Sequence, residues 1–174
     1  MKTFNTYKRI LKLLFVTAVL CFCVNLSFAQ FAPGLPQRTL TVLNTQPINF
    51  GTFCLTGLVG GTITVGWNNI VTTTGGIMHL AIGQGTQPAI FAIKLCQGRN
   101  VRITFAATTP LTGTGPALTL RLGPTELGGN NALFTTNRDC DFITLLRVGG
   151  TLDVPDSALP GTYSGNLEII LNQE

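Results

Sequence analysis

Few residues in this chain are of types that do chemistry, and their spacing is loose. His79 is the only histidine. A Ser-His-Asp set needs a positioned base and an orienting acid. His79 lies in an alternating, strand-like stretch, so the expectation is a satisfied or exposed side chain rather than a general base. Beyond residue 29 the thiols are Cys54, Cys96 and Cys140. With His79 they form a Cys₃His inventory, but no C-x₂-C pair occurs and the separations are long, so no zinc site is expected. "NRDCD" brings Asp139 and Asp141 near Asn137. Calcium needs several such oxygens and the EF-hand spacing is absent, so the stretch reads as a solvated loop. "GTYSG" at Gly161–Gly165 has Tyr163 third and Ser164 fourth, with a strand pattern following. A nucleophile elbow requires Ser third, between a strand and a helix. No G-x-G-x-x-G or G-x-x-x-x-G-K precedes a helical pattern. The reading is a non-enzyme with no catalytic residue, cofactor or metal. A small hydrolase built on His79 is the one enzymatic alternative.

The ends explain the charge. Lys2, Lys8, Arg9 and Lys12 precede an apolar run from Leu13 to Val24, then Ser27-Phe28-Ala29. A basic start, a short apolar core and small residues before a cut after Ala29 describe a secretory signal peptide over residues 1–29. The run is too short for a comfortable span of ~20 residues, so no membrane span is expected after cleavage. Leu20 and Phe22 precede Cys21 and Cys23, which argues against a lipoprotein signal. The expected mature chain starts at Gln30. The formal charge of +4 then vanishes: eleven Lys and Arg less these four leave seven, against seven Asp and Glu. A basic footprint for nucleic acid is therefore missing, and no nucleic-acid partner is expected. Every acid lies at or after Glu126. This split is read as charges that mix once the halves interleave in one fold.

The elements that position these residues are strands. The segments "TLTVL", "INFGTFC", "GTITVGW", "IMHLAI", "AIFAIKLC", "VRITFA" and "ALTLRLG" alternate apolar and polar residues. The inward rows are expected to include Ile63, Val65 and Trp67; Met78, Leu80 and Ile82; Phe91, Ile93 and Leu95; Val101, Ile103 and Phe105; and Leu118, Leu120 and Leu122. Gly51 reads as a bulge. From Phe142 the even positions Leu146, Val148, Leu152 and Val154 continue one row, with Gly149-Gly150 in mid-pattern. A bend or a close backbone approach explains that pair better than a loop. "VPDSALPG" is a turn, and Tyr163, Leu167, Ile169 and Leu171 are expected to form the inward row of a last strand. "TTPLTGTGPA" and "GPTELGGNN" read as surface turns. Many short strands in one domain of ordinary size predict an all-β fold, and an immunoglobulin-like two-sheet sandwich is favoured. Residues 30–46 are an N-terminal extension or first strand, and residues 47–174 the sandwich.

Export favours a disulfide over a metal. Three thiols pair in three ways. If successive strands alternate up and down, Cys96 and Cys140 fall at one end and Cys54 at the other, which favours Cys96–Cys140 and leaves Cys54 spare.

"INFGTF", "GGTITV" and above all "RVGGTLDVP…PGTYSGNLEII" carry a resemblance. The positions are Gly51, Gly60-Gly61, Gly149-Gly150-Thr151-Leu152, Gly161, Tyr163 and Gly165. The chain resembles exported Gram-negative domains of unknown function that share this C-terminal signature and are similar to pilin-like subunits of fimbriae. The resemblance implies a structural role and no catalytic residue. It implies assembly by strand complementation, with Gln30–Asn44 as donor candidate, partners that are itself or other surface subunits meeting through sheet edges, and a periplasmic chaperone. The function expected is an exported structural or adhesive subunit in the periplasm, at the cell surface or outside the cell. The alternative is a self-complete secreted binding module for a glycan or surface partner, with Trp67 as its first test.

Overall fold

Uninterrupted alternation becomes strand. The computed structural model describes residues 40–95, 100–137 and 142–174, all within one compact unit, Arg38–Glu174. Among the described residues there are twelve strands and no helix. They are β1 (Thr41–Gln46), β2 (Thr52–Leu55), β3 (Gly61–Val65), β4 (Val71–Gly75), β5 (Ile77–Leu80), β6 (Ala89–Lys94), β7 (Asn100–Phe105), β8 (Thr108–Leu111), β9 (Leu118–Thr125), β10 (Leu133–Thr135), β11 (Thr144–Val154) and β12 (Ile169–Gln173). All pairings are antiparallel. The signal-peptide segment and the Cys96–Cys140 pair lie outside the described residues, as do Asp139 and Asp141.

One long strand organises the fold. Val148 of β11 pairs with both Ala89 of β6 and Thr125 of β9, while Gly150 to Asp153 pair with both β3 and β9. A strand has two edges, so β9 follows one and β6 and β3 share the other end to end. β1 then adds to β6, β4 to β3 and β8 to β9. A three-stranded sheet β10-β7-β12 and a two-stranded ribbon β2-β5 complete the chain.

Two cores result, and β11 serves both. Leu146 and Val148 pack with β6 and β7 residues such as Phe91, Ile93, Val101 and Ile103. Leu152 and Val154 pack with Phe50, Ile63, Val65, Ile77, Leu118 and Leu120. Ile48 and Leu122 touch both clusters. Gly149-Gly150 holds the middle of β11 without breaking its parity, as expected. The cause is close approach: a Cβ on Gly149 would lie 2.7 Å from Val65 O and 2.8 Å from Trp67 N, both backbone atoms. A Cβ on Gly150 would lie 3.0 Å from the Cδ1 atoms of Ile48 and Leu120, where the cores meet.

The structure corrects four details of the strand pattern. In β5 the buried residue is Ile77, while Met78 and Ile82 are exposed. Gly75, at φ +65°, turns the chain directly into β5 from β4 and sets that phase. Phe142 is exposed and does not begin the β11 row. "TTPL" is a strand, β8, lying along β9, and among the described residues no second strand pairs with it, which tolerates Pro110. The last strand begins at Ile169, not Tyr163. Ser164 makes only an isolated bridge to Thr112, and the Tyr163 hydroxyl donates to Leu159 O at 2.9 Å, closing the preceding turn instead.

The chain end is pinned to β7. Glu174 N donates to Asn100 O at 2.9 Å, and the Arg102 guanidinium donates to the Glu174 carboxylate. That hydrogen bond, with the attraction of the opposite charges, holds the Glu174 carboxyl below the usual carboxylate range and raises Arg102. A carboxyl lowered in the folded state contributes fully above its unfolded pKa and loses the contribution as pH falls through the folded value. Both side chains are exposed, so the contribution is small and salt-screened. The expected result is that the Arg102 Nε–H resonance titrates with Glu174 in that acidic window. Glu174→Gln should remove that titration and leave the thermal midpoint unchanged.

Candidate functional surface: the β1 edge and the Trp67 cleft

The residues first considered for chemistry do not converge. His79 sits on β5 opposite Phe53, and among the described residues no ion pair or side-chain hydrogen bond joins it to a carboxylate. Cys54, on β2 opposite Met78, is a half-buried free thiol. Among the described residues no three His, Cys, Asp or Glu side chains gather. Gly161 and Gly165 belong to packed turn structure: a Cβ on Gly161 would meet the Thr114 side chain, and one on Gly165 would lie 2.7 Å from Pro110 O. Thr151 donates to or accepts from Thr64 across the β11–β3 pair at 2.9 Å.

The strand edges offer more. β1 lies in its own sheet, paired with β6 from Thr41↔Lys94 to Gln46↔Ile90, with a register shift between Asn44 and Gln46. None of its six side chains is buried. Its two ends are held differently. Gln46 Nε2 donates to Pro88 O at 2.8 Å, Gln87 Nε2 to Pro47 O at 3.1 Å, and Asn49 and Gln87 exchange backbone bonds. Among the described residues, Thr41 to Asn44 are held by the main-chain ladder alone, while Leu40 just before them packs on the first core. Across this sheet Leu43, Ala92 and Leu145 stand in register. Leu43 is 62% exposed and Leu145 42%, so an apolar row crosses the outer face next to the β1 edge.

A second feature lies at the tip of the β3–β4 hairpin. Gly66 N donates to Ile70 O, Asn69 N to Gly66 O, and Ile70 N to Asn68 Oδ1. Asn69 has φ +63°, which Asn tolerates far better than most residues. This ordered turn presents Trp67, 39% exposed, over a cleft of ≈ 520 Å³ lined by Gln46, Asn68, Asn69, Gln87, Ile90 and Arg147 among others. Arg147 is already matched: its backbone N donates to Glu126 Oε1 at 2.9 Å and its Nη1 to Glu126 Oε2 at 2.8 Å. Sequence reasoning singled out Trp67 as a residue to test but placed it in an inward row and missed its partners. "WNNI", two turn-forming Asn residues after an aromatic, was the available signal.

Comparison with known protein families gives a match. The family model described as "Domain of unknown function (DUF4402)" covers residues 40–172. No curated protein and no solved structure matches the chain.

Proposed function

Since the chain belongs to the DUF4402 family, a domain of unknown function, we propose that it is an exported, non-enzymatic structural or adhesive subunit. In this reading the fold is a pilin-like sandwich of residues 47–174, completed by the strand of residues 30–46. It assembles with further copies or other surface subunits by exchanging β1, with a periplasmic chaperone covering the vacated edge beforehand. The observation that carries this is β1 itself: a strand that completes a sheet without burying one of its side chains. Removing it forfeits ladder hydrogen bonds but little core. An identical β1 from a neighbour restores the same register, which is the logic of strand addition and of swapping. The anchored stretch Gln46–Asn49 is the natural hinge, and the apolar row Leu43-Ala92-Leu145 gives a neighbouring subunit surface to cover.

A second reading has its own support. β1 already pairs at home, which suits a self-complete secreted binding module. Deleting residues 30–44 separates the two. An exchanging subunit keeps a cooperative thermal transition and loses self-association, measured by analytical ultracentrifugation, and a peptide of residues 38–46 rebinds it. A full-length chain that stays strictly monomeric at all concentrations, and a truncated one that unfolds, would sink the exchange reading.

A further inference from the structure

We propose that the Trp67 cleft is a binding site for a neutral glycan. The inference rests on the adhesive form of the function above; the cleft meets β1 only at its last residue, Gln46, and its binding has a separate readout.

The chemistry of the lining selects the ligand class. An exposed indole on a rigid turn offers a flat apolar face backed by a polar N–H. The axial C–H face of a pyranose stacks on such a surface. The surrounding polar groups are mixed in sense. Gln46 and Gln87 spend their Nε2 donors on Pro88 O and Pro47 O, so each has its Oε1 left as an acceptor. Asn68 uses Oδ1 as acceptor for Ile70 N and keeps its NH₂ as donor. Asn69 and Thr86 keep donor and acceptor capacity alike, since among the described residues neither side chain has a hydrogen-bond partner. Hydroxyls that both donate and accept match such a set. A carboxylate or phosphate wants donors only and an uncompensated cation. Among the described lining residues the one cation is Arg147, whose guanidinium pairs through Nη1 with Glu126, while its backbone N donates to the same carboxylate. Ile90 and Pro88 add apolar surface, and the volume falls within the range of small-ligand sites. The ligand is therefore uncharged, polyhydroxylated and bears an apolar face.

Trp67 is the only tryptophan in the chain, so its fluorescence reports on this cleft alone. The full chain is titrated with lactose, maltotriose and chitotriose as neutral probes, and with 3′-sialyllactose and an uncharged Pro-rich peptide as contrasts. At least one neutral saccharide is expected to give a saturable emission change with a dissociation constant on the order of millimolar or tighter. Saccharide-detected NMR is expected to show binding abolished in Trp67→Ala. Asn69→Gly, which keeps the positive-φ turn, should weaken binding about fivefold, the equivalent of one hydrogen bond. Absence of a saturable change with every neutral saccharide overturns the proposal. So does binding restricted to the sialylated sugar or the peptide, or binding that survives in Trp67→Ala. None of these outcomes bears on β1 exchange, which is read from the association state.

Discussion

Gly149→Ala is expected to cost about 3 kcal/mol of folding stability, the upper end for overpacking a closed site. The added carbon would meet Val65 O at 2.7 Å, Trp67 N at 2.8 Å and Gly66 C at 3.0 Å. All three atoms are main chain, so no rotamer change relieves the contact. The crossing must open, and with it the β11–β3 pairing on which one core depends. A loss of that size is a large share of the 5–15 kcal/mol that holds a domain together. Roughly a 10 °C fall in the melting midpoint is the expected reading. The emission of Trp67 should shift as well, because the strained contact lies directly under its backbone. Gly129→Ala is the control: nothing lies within 4 Å of its Cβ position, and a change within about 0.5 kcal/mol is expected. Equal effects at the two positions would refute the close-approach account of the Gly-Gly pair.

Leu146→Ala should destabilise by about 3 kcal/mol, and Leu145→Ala next to it by well under 1 kcal/mol. The two residues differ only in which way the pleat points them. Leu146 has no exposed surface and packs against the β6 and β7 side chains of the first core. Its truncation leaves a cavity walled by strands that are themselves paired and cannot collapse inward cheaply. Leu145 lies on the outer face opposite Ala92, 42% exposed. Denaturant titration of both variants decides the register of β11. A reversed order would mean the strand is shifted by one residue. If β1 exchange brings subunits together over the apolar row, Leu145→Ala should weaken self-association while leaving the single-subunit transition in place.

The strand pattern was legible where alternation was strict and long. β6 and β7 carry apolar residues at every second position, and β9 does so from Leu118 to Leu122; the buried rows of β6 and β7 fall as the alternation requires, as does β9 at Leu118 and Leu120. β11 was legible through its glycines because parity survived them. Failures have physical causes. "VTTTG" contains one apolar residue and joins the sheet as an outer strand over β3, where Thr–Thr pairs such as Thr62 with Thr74 at 2.7 Å replace hydrophobic alternation. "IMHLAI" is apolar on both faces, so its phase came from the Gly75 turn and not from hydrophobicity. β10 is three residues long, too short to carry a period. At the candidate surface, Trp67 stood out by type alone. Its cleft draws residues from four separated stretches of chain, which only tertiary structure brings together.

The place of β11 in the chain also has a kinetic meaning. Its partners β3, β6 and β9 all precede it in the sequence. None of them pairs with another, so each waits for a strand that is next to last along the chain. Until β11 is available the main sheet has no centre, and only its separate pairs β1–β6, β3–β4 and β8–β9 can form. Contacts this distant in sequence make folding slow. A chain built this way closes its main sheet in one late step, when β11 joins strand pairs that are already complete in sequence.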